Sequence, residues 1–281
     1  MSNWFSAGRS IDSIAVDDRS AHYGDGVFET IAIRDGAARF WSLHNARLQT
    51  ACSRLGITCP AEETLHDELE NAIEQSPTLA EFGTAKLIVS AGSGPRGYRR
   101  GAETQSDVRI GMFSAQHIPA DTYKNGVAVR ICSTRLAMQP QLAGIKSMNR
   151  LEQVLACAEW SDAEIFEGLM LDTADRLICG TMSNMFIVTA SGLATPALTR
   201  CGVSGVMRRH LLGVMDEEGI ECDVRDIDLA ELDSADEIFL SNSQFGVLPV
   251  RACAQRQWKS GALTKRVQQL AAANGVPECA P

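Results

Sequence analysis

The nine cysteines of this 281-residue sequence include no CxxC pair, and its five histidines form neither HxxxH nor HxH. The first two absences weigh against a zinc site, and an odd cysteine count weighs against a disulfide framework. Reduced thiols in the cytoplasm are the expectation. The N-terminus MSNWFSAGRS lacks a basic start followed by an apolar stretch, so it does not read as a secretory signal. No apolar run approaches the ~20 residues of a membrane span. No strand–GxxxxGK[ST]–helix order marks a P-loop, and neither a repeat period nor a low-complexity tract is found. A net charge of −9 argues against a general nucleic-acid surface, while local arginines still leave room for acidic substrates.

What is present is ordinary for a soluble globular protein: 45% apolar and 22% charged residues, with length for one large or two modest domains. VFETIAIR-DG-AARFW (27–41) predicts a hairpin turning at Asp35-Gly36. Ser42 is then read as the cap of a helix reaching Leu55, stopped by Gly56. EETLHDELENAIEQ (62–75) is a second amphipathic helix. TAKLIVSA (84–91) and DVRIGMFS (107–114) read as buried strands flanking a glycine-rich arm. The stretch 116–125 breaks every periodicity and is taken as a linker. Beyond it, GVAVRICST is a strand and 148–161 a helix. The strands EGLMLDT and NMFIVT follow, then a helix at 205–218, three further strands and a last helix near 262–273. The fold class is α/β or α+β, with domains at 1–115 and 126–281.

Several residues could carry chemistry. Lys146, in LAGIKSMNRLEQVLA, stands where an apolar approach meets a helix; a partly desolvated lysine can form a Schiff base or move protons. An ordinary surface lysine would look the same. In VSGVMRRHLLGVMDEEG, Ser204 reads as an N-cap, and the N–H groups of Val206 and Met207 suit a phosphate. Arg47 could reach an anion, and Ser243 follows the apolar strand DEIFL. The arm AGSGPRGYRRG brings Arg96 and Tyr98 to a carboxylate or leaves them in solvent. Cys179 sits at a polar corner in DRLICGTMSNMF, followed by small residues.

Together these segments resemble the class IV pyridoxal-phosphate enzymes: branched-chain and D-amino-acid transaminases and aminodeoxychorismate lyase. The likeness runs from about residue 13 to 250. AVDDRSAHYGDGVFET looks like the N-terminal signature, HNARL supplies Arg47 for the cofactor phosphate, and Lys146 in GIKSMNRL matches the Schiff-base lysine. GVMR (205–208) occupies the place of the phosphate-binding helix start, and Ser243 matches a hydroxyl that contacts the phosphate. The resemblance implies a two-domain fold of the D-amino-acid transaminase type, with pyridoxal 5'-phosphate at the domain interface and Lys146 in the second domain. It also implies a homodimer whose arm reaches the partner subunit.

KSMNRLEQVLA and GSGPRGY look most like aminodeoxychorismate lyase, which implies conversion of 4-amino-4-deoxychorismate to 4-aminobenzoate and pyruvate. On that reading Arg96 and Tyr98, with Arg109 behind them, hold the carboxylates of a small-molecule substrate. Two positions depart from the family. Cys179 stands where a glutamate usually pairs with the cofactor's ring nitrogen, and Ala91 where many members have an arginine. A neutral thiol is a weak partner for a ring N–H, which should hurt transamination more than elimination. The alternatives are a class IV aminotransferase, a class IV enzyme of another substrate, and a non-catalytic relative serving as a binding partner.

Overall fold

A computed structural model describes residues 3–280. They divide into two compact units, one running to Gln116 and including Ile145–Asn149, the other comprising His117–Gly144 and the chain from Arg150 onward. Among the described residues no helix is long and apolar enough to cross a membrane.

The first unit contains strands β1 (Asn3–Ser6), β2 (Arg9–Ile11), β3 (Gly26–Arg34), β4 (Ala37–Ala38), β5 (Phe82–Ser90) and β6 (Asp107–Ser114). Its helices are α1 (Arg19–Tyr23), α2 (Trp41–Leu55), α3 (Glu62–Glu74) and α4 (Pro77–Ala80). The antiparallel sheet has the order β2-β1-β6-β5-β3-β4. Alternation along β3 sends Val27, Ile31 and Ile33 to one face, where they meet Leu48 of α2 and Leu65 and Leu69 of α3 in a buried core. The hairpin turns at Asp35 (φ 51°) and Gly36 (φ 78°), two left-handed residues as a type I′ turn requires.

Ser42 is not the cap of α2. Arg39 still pairs with Ala32 (N–H to carbonyl, 2.9 Å), so the chain turns into the helix directly at Phe40, which is left-handed at φ 54°. Gly56 ends α2 as expected, with φ 64°.

The second unit begins inside the expected linker, where α5 (Ala120–Asn125) forms and the Tyr123 hydroxyl donates to the Phe245 carbonyl at 3.0 Å. There follow β7 (Val127–Leu136), α6 (Leu151–Cys157), β8 (Ile165–Asp172), β9 (Arg176–Gly180), β10 (Asn184–Thr189), β11 (Gly192–Pro196), α7 (Val206–Glu217), β12 (Cys222–Arg225) and β13 (Ile227–Asp228). The chain closes with α8 (Leu229–Ser234), β14 (Glu237–Asn242), β15 (Gly246–Cys253), β16 (Arg256–Gln257) and α9 (Ala262–Ala273). These strands make a barrel-like 10-stranded sheet of order β12-β11-β10-β14-β15-β7-β8-β9-β13, with β16 on β15. Phe186 and Phe239 stack on adjacent strands with ring centroids 4.7 Å apart. The result is a mixed α+β fold.

The lysine strip differs from expectation. Residues 145–149 are extended rather than helical: the Phe28 N–H donates to the Lys146 carbonyl (3.0 Å) and the Met148 N–H to the Gly26 carbonyl (2.9 Å). That pairing places Lys146 in the first unit instead of the 126–281 domain, and shortens the helix expected over 148–161 to α6.

Candidate active site

In the first unit, β3 carries two neighbouring residues with opposite surroundings. Glu29 falls at a position whose period-2 neighbours, Val27 and Ile31, are core, and it is itself buried. α2 places His44 and Arg47 three residues apart on the face that meets it. The Arg47 Nε donates to Glu29 Oε1 at 2.8 Å, a second Arg47 nitrogen donates to Oε2, and His44 Nδ1 lies 2.6 Å from Oε2. Burial would raise the Glu29 pKa, but the charge of Arg47 and the hydrogen bonds around it prevail and hold it at about 2. Burial lowers the pKa of His44. His44 is therefore neutral and donates Nδ1–H to the carboxylate, with Arg47 as the balancing charge. Its Nε2 is buried without a hydrogen-bond partner among the described groups.

Phe28 points to the other side of the strand. Lys146 shares that side, its Nζ 4.3 Å from the Phe28 ring centroid, and Lys86 of β5 approaches the same ring at 5.1 Å. Ile145, one residue earlier, packs into the core. A cavity of about 360 Å³ adjoins this side, lined by Trp4, Ile11, Ile14, Ser20, Ile88, Arg109 and Met148.

The arm between β5 and β6 is braced rather than solvated along its length. Arg19 donates to the Gly97 and Tyr98 carbonyls (2.9 Å each) and to Asp25 (2.8 Å). Arg100 bonds Asp25 and the carbonyls of Leu55 (2.9 Å) and Gly56 (2.5 Å). Arg96 and Tyr98 extend outward from this anchor, Tyr98 being 89% exposed. Arg109 is otherwise disposed than the sequence suggested. It is buried and committed to two carboxylates, Asp18 and Asp107, and so is no free cation for a substrate. Ala91 is buried, its N–H on the Asp25 carbonyl at 2.9 Å.

In the second unit three chain corners are tied together. Cys179, one residue before the end of β9, lies opposite Met170 and is buried; desolvation, then the charge of Glu167, push its thiol pKa far up, so it is a neutral S–H. Arg150 lies within electrostatic reach of that thiol, its own pKa lowered by burial. Glu167, fully buried in β8, accepts from the N–H groups of Gly168 (3.0 Å), Thr181 (3.0 Å) and Met182 (3.2 Å) and from the Thr181 (2.5 Å) and Ser183 (2.9 Å) hydroxyls. The glycine after Cys179 has its reason here. A Cβ on Gly180 would stand 2.3 Å from Ser183 Oγ and 2.6 Å from Glu167 Oε2.

The next residue along, Asn184, donates to the Val203 carbonyl at 3.0 Å and would collide with any Cβ on Gly205, which comes within 1.9 Å of its Oδ1. Gly205, not Ser204, is the N-cap of α7, and no side chain caps the helix. The N–H groups of Val206 and Met207 thus open an uncapped helix start, the geometry that suits a phosphate. Arg208 pins this turn to β11 through Thr195 Oγ1 (3.2 Å) and the Pro196 carbonyl (3.1 Å). Ser243 lies in the turn after β14, where Asn242 Oδ1 accepts from the Gln244 and Phe245 N–H groups at 2.9 Å. Asn242 also reaches the Met182 carbonyl at 3.4 Å. Ser241 Oγ, just before it, is buried without a partner among the described groups.

Residues 26–253 match the amino-transferase class IV family. The chain belongs to that family. It is 36% identical over 259 residues to an aminodeoxychorismate lyase of Vibrio harveyi, covering 91% of this chain and 94% of the relative. A D-alanine aminotransferase of Bacillus licheniformis is 29% identical over 266 residues, covering 92% and 91% of the two chains. Among solved structures, the 4-amino-4-deoxychorismate lyase from Pseudomonas aeruginosa superimposes with a TM-score of 0.89 at 43% identity, covering 96% of this chain and 98% of that one.

Family members are pyridoxal-phosphate enzymes, and the donor set here fits that cofactor. In the second unit the helix start without a side-chain cap suits a phosphate, and an orphaned serine hydroxyl lies beside the Ser243 turn; in the first unit Arg47 and Lys146 are of the types that take a phosphate and an aldehyde. Glu29, His44 and Glu167 escaped the sequence reading. A polar residue at a core position of an alternating strand was the signal for Glu29, and the His–x–x–Arg spacing on α2 for His44. Glu167 had no such mark.

Proposed function

We propose that this chain is a pyridoxal-phosphate-dependent lyase that converts 4-amino-4-deoxychorismate to 4-aminobenzoate and pyruvate. The observation that carries the reading is similarity to two such lyases, at 36% and 43% identity, across nine-tenths or more of each chain. Bound cofactor supplies an electron sink for the pair left when a C–H bond beside the amine is broken.

Each residue then has a task. Arg47, oriented by Glu29, the N–H groups of Val206 and Met207, and the Ser243 hydroxyl hold the phosphate. Lys146 would hold the cofactor through its aldehyde, and its amine would be the base that removes the proton from the substrate's amine-bearing carbon. The same amine can return that proton to the departing enolpyruvyl group as it becomes pyruvate, while the ring becomes aromatic. The apolar cavity beside Met148 takes the substrate ring, and Arg96 and Tyr98 take its carboxylates. The exposure of Tyr98 on an anchored arm supports delivery of these two to a partner subunit, hence a homodimer. Unlinked thiols and acidic charge support a cytoplasmic protein.

Cys179 favours elimination over amino transfer. A buried neutral thiol cannot provide the anion that keeps a ring nitrogen protonated, and elimination discharges the electron pair into a leaving group at once. The 29% identity to a D-alanine aminotransferase supports amino transfer as the second reading. The test is pyruvate release from 4-amino-4-deoxychorismate, followed with lactate dehydrogenase, against exchange between amino and keto acids. Release should dominate and disappear in Lys146→Ala. Faster exchange than release would replace the lyase by the second reading.

A further inference from the structure

Helix α2 ends in the run Cys52-Ser53-Arg54-Leu55-Gly56-Ile57-Thr58-Cys59. Gly56 is left-handed (φ 64°), and the Ile57 N–H closes back onto the Cys52 carbonyl at 2.9 Å. The reversal returns Cys59 to the last helical turn, where the two thiols are hydrogen-bonded to each other. Both are unlinked. Cys52 is fully buried in the core and Cys59 packs at its edge, half-buried.

We propose that Cys52 and Cys59 are a dithiol site that hydrogen peroxide converts to an intramolecular disulfide. The two sulfurs are suited to different halves of the chemistry. The hydrogen bond from Cys52 lowers the pKa of Cys59, whereas that bond and burial raise the pKa of Cys52. Cys59, half-buried at the edge of the core, is the sulfur that peroxide reaches, and Cys52, fully enclosed, is the resolving one. The Cys59 thiolate attacks the peroxide: an S–O bond forms, the O–O bond breaks, and hydroxide leaves as water after taking up a proton. Cys52 then attacks the Cys59 sulfur, the S–S bond forms, the S–O bond breaks, and a second water carries off the Cys52 proton. Two thiols lose two electrons and two protons, and one peroxide is reduced to two waters. The bond closes across the turn whose Leu55 and Gly56 carbonyls receive Arg100.

Exposure alone points elsewhere, because Cys157 is the exposed cysteine among the described residues. The experiment uses that contrast. Cofactor-loaded protein is titrated with hydrogen peroxide, alkylated and digested with trypsin without reduction. Cleavage after Arg54 separates peptides 48–54 and 55–86, each holding one cysteine. The expected result is a cross-linked pair of these peptides, lighter by two hydrogens than their sum, formed before Cys157 is oxidised. Cys59→Ser abolishes the cross-link, and Cys52→Ala leaves a sulfenic acid on Cys59 that dimedone traps. Oxidation of Cys157 with both peptides still fully alkylated, or a cross-link from Cys59 to another cysteine, overturns the assignment. The Cys59→Ser variant keeps the test open should the buried Cys52→Ala variant fail to fold.

Discussion

Replacing Glu29 by Gln keeps the shape of the side chain and removes the charge on which Arg47 and His44 converge. The Glu29 pKa falls from 4.5 to about 2 on folding, which corresponds to about 3 kcal/mol of stability at neutral pH. Because the group is fully buried, solvent screening does not reduce that figure much; leaving Arg47 without its acid places the loss at about 3–5 kcal/mol. For a chain of this size the melting temperature should fall by roughly 5–9 °C.

The sign can be followed in pH. Glu29 is an acid with a depressed folded pKa, so its contribution is complete above pH 4.5 and is lost as pH falls toward 2. His44 acts from higher pH. Its folded pKa lies below 6.5, so under that pH the unfolded imidazole takes up a proton that the buried one refuses, and stability drops. Urea unfolding of wild type and Glu29→Gln at pH 7, 5.5, 4 and 3 reads both limbs. The variant should lose the lower limb and keep the upper. A variant within about 0.5 kcal/mol of wild type at pH 7, with an unchanged slope below pH 4.5, refutes the reasoning.

Two further substitutions test the second unit. Gly180→Ala forces a Cβ to within 2.3 Å of Ser183 Oγ and 2.6 Å of Glu167; it should cost about 1–3 kcal/mol in unfolding assays and weaken cofactor binding, read by fluorescence. Unaltered stability and affinity would show that the corner yields freely. Cys179→Glu supplies the missing carboxylate at the expected ring-nitrogen position and near Arg150. Amino exchange should rise by about tenfold or more relative to pyruvate release, with a shifted cofactor absorbance. An unchanged ratio and spectrum would show that residue 179 does not tune the cofactor.

The sequence by itself determined the features whose cause is local. Asp35-Gly36 forms the hairpin turn because two left-handed residues are needed in succession, and Gly56 stops α2 for the same conformational reason. The helix at 262–273 and the strand at 184–189 follow their periodicities residue for residue. Motif order made the family, and with it the cofactor, readable before any coordinates. Tertiary structure decided whatever depends on a distant partner. Ser42 and Ser204 look like caps, but strand pairing up to Arg39 and the Asn184–Gly205 contact set where those helices begin. Lys146 looked like the junction into a helix of the second domain; the Phe28 N–H on its carbonyl and the Met148 N–H on Gly26 bridge its strip to β3 in the first unit. Arg109 and Arg47 are the same residue type with opposite prospects. Asp18 from a distant segment and Asp107 of its own strand absorb one, and a single buried glutamate aims the other. The Arg47–Glu29 and Arg109–Asp18 pairings join residues 18 and 91 positions apart, beyond the reach of any local pattern.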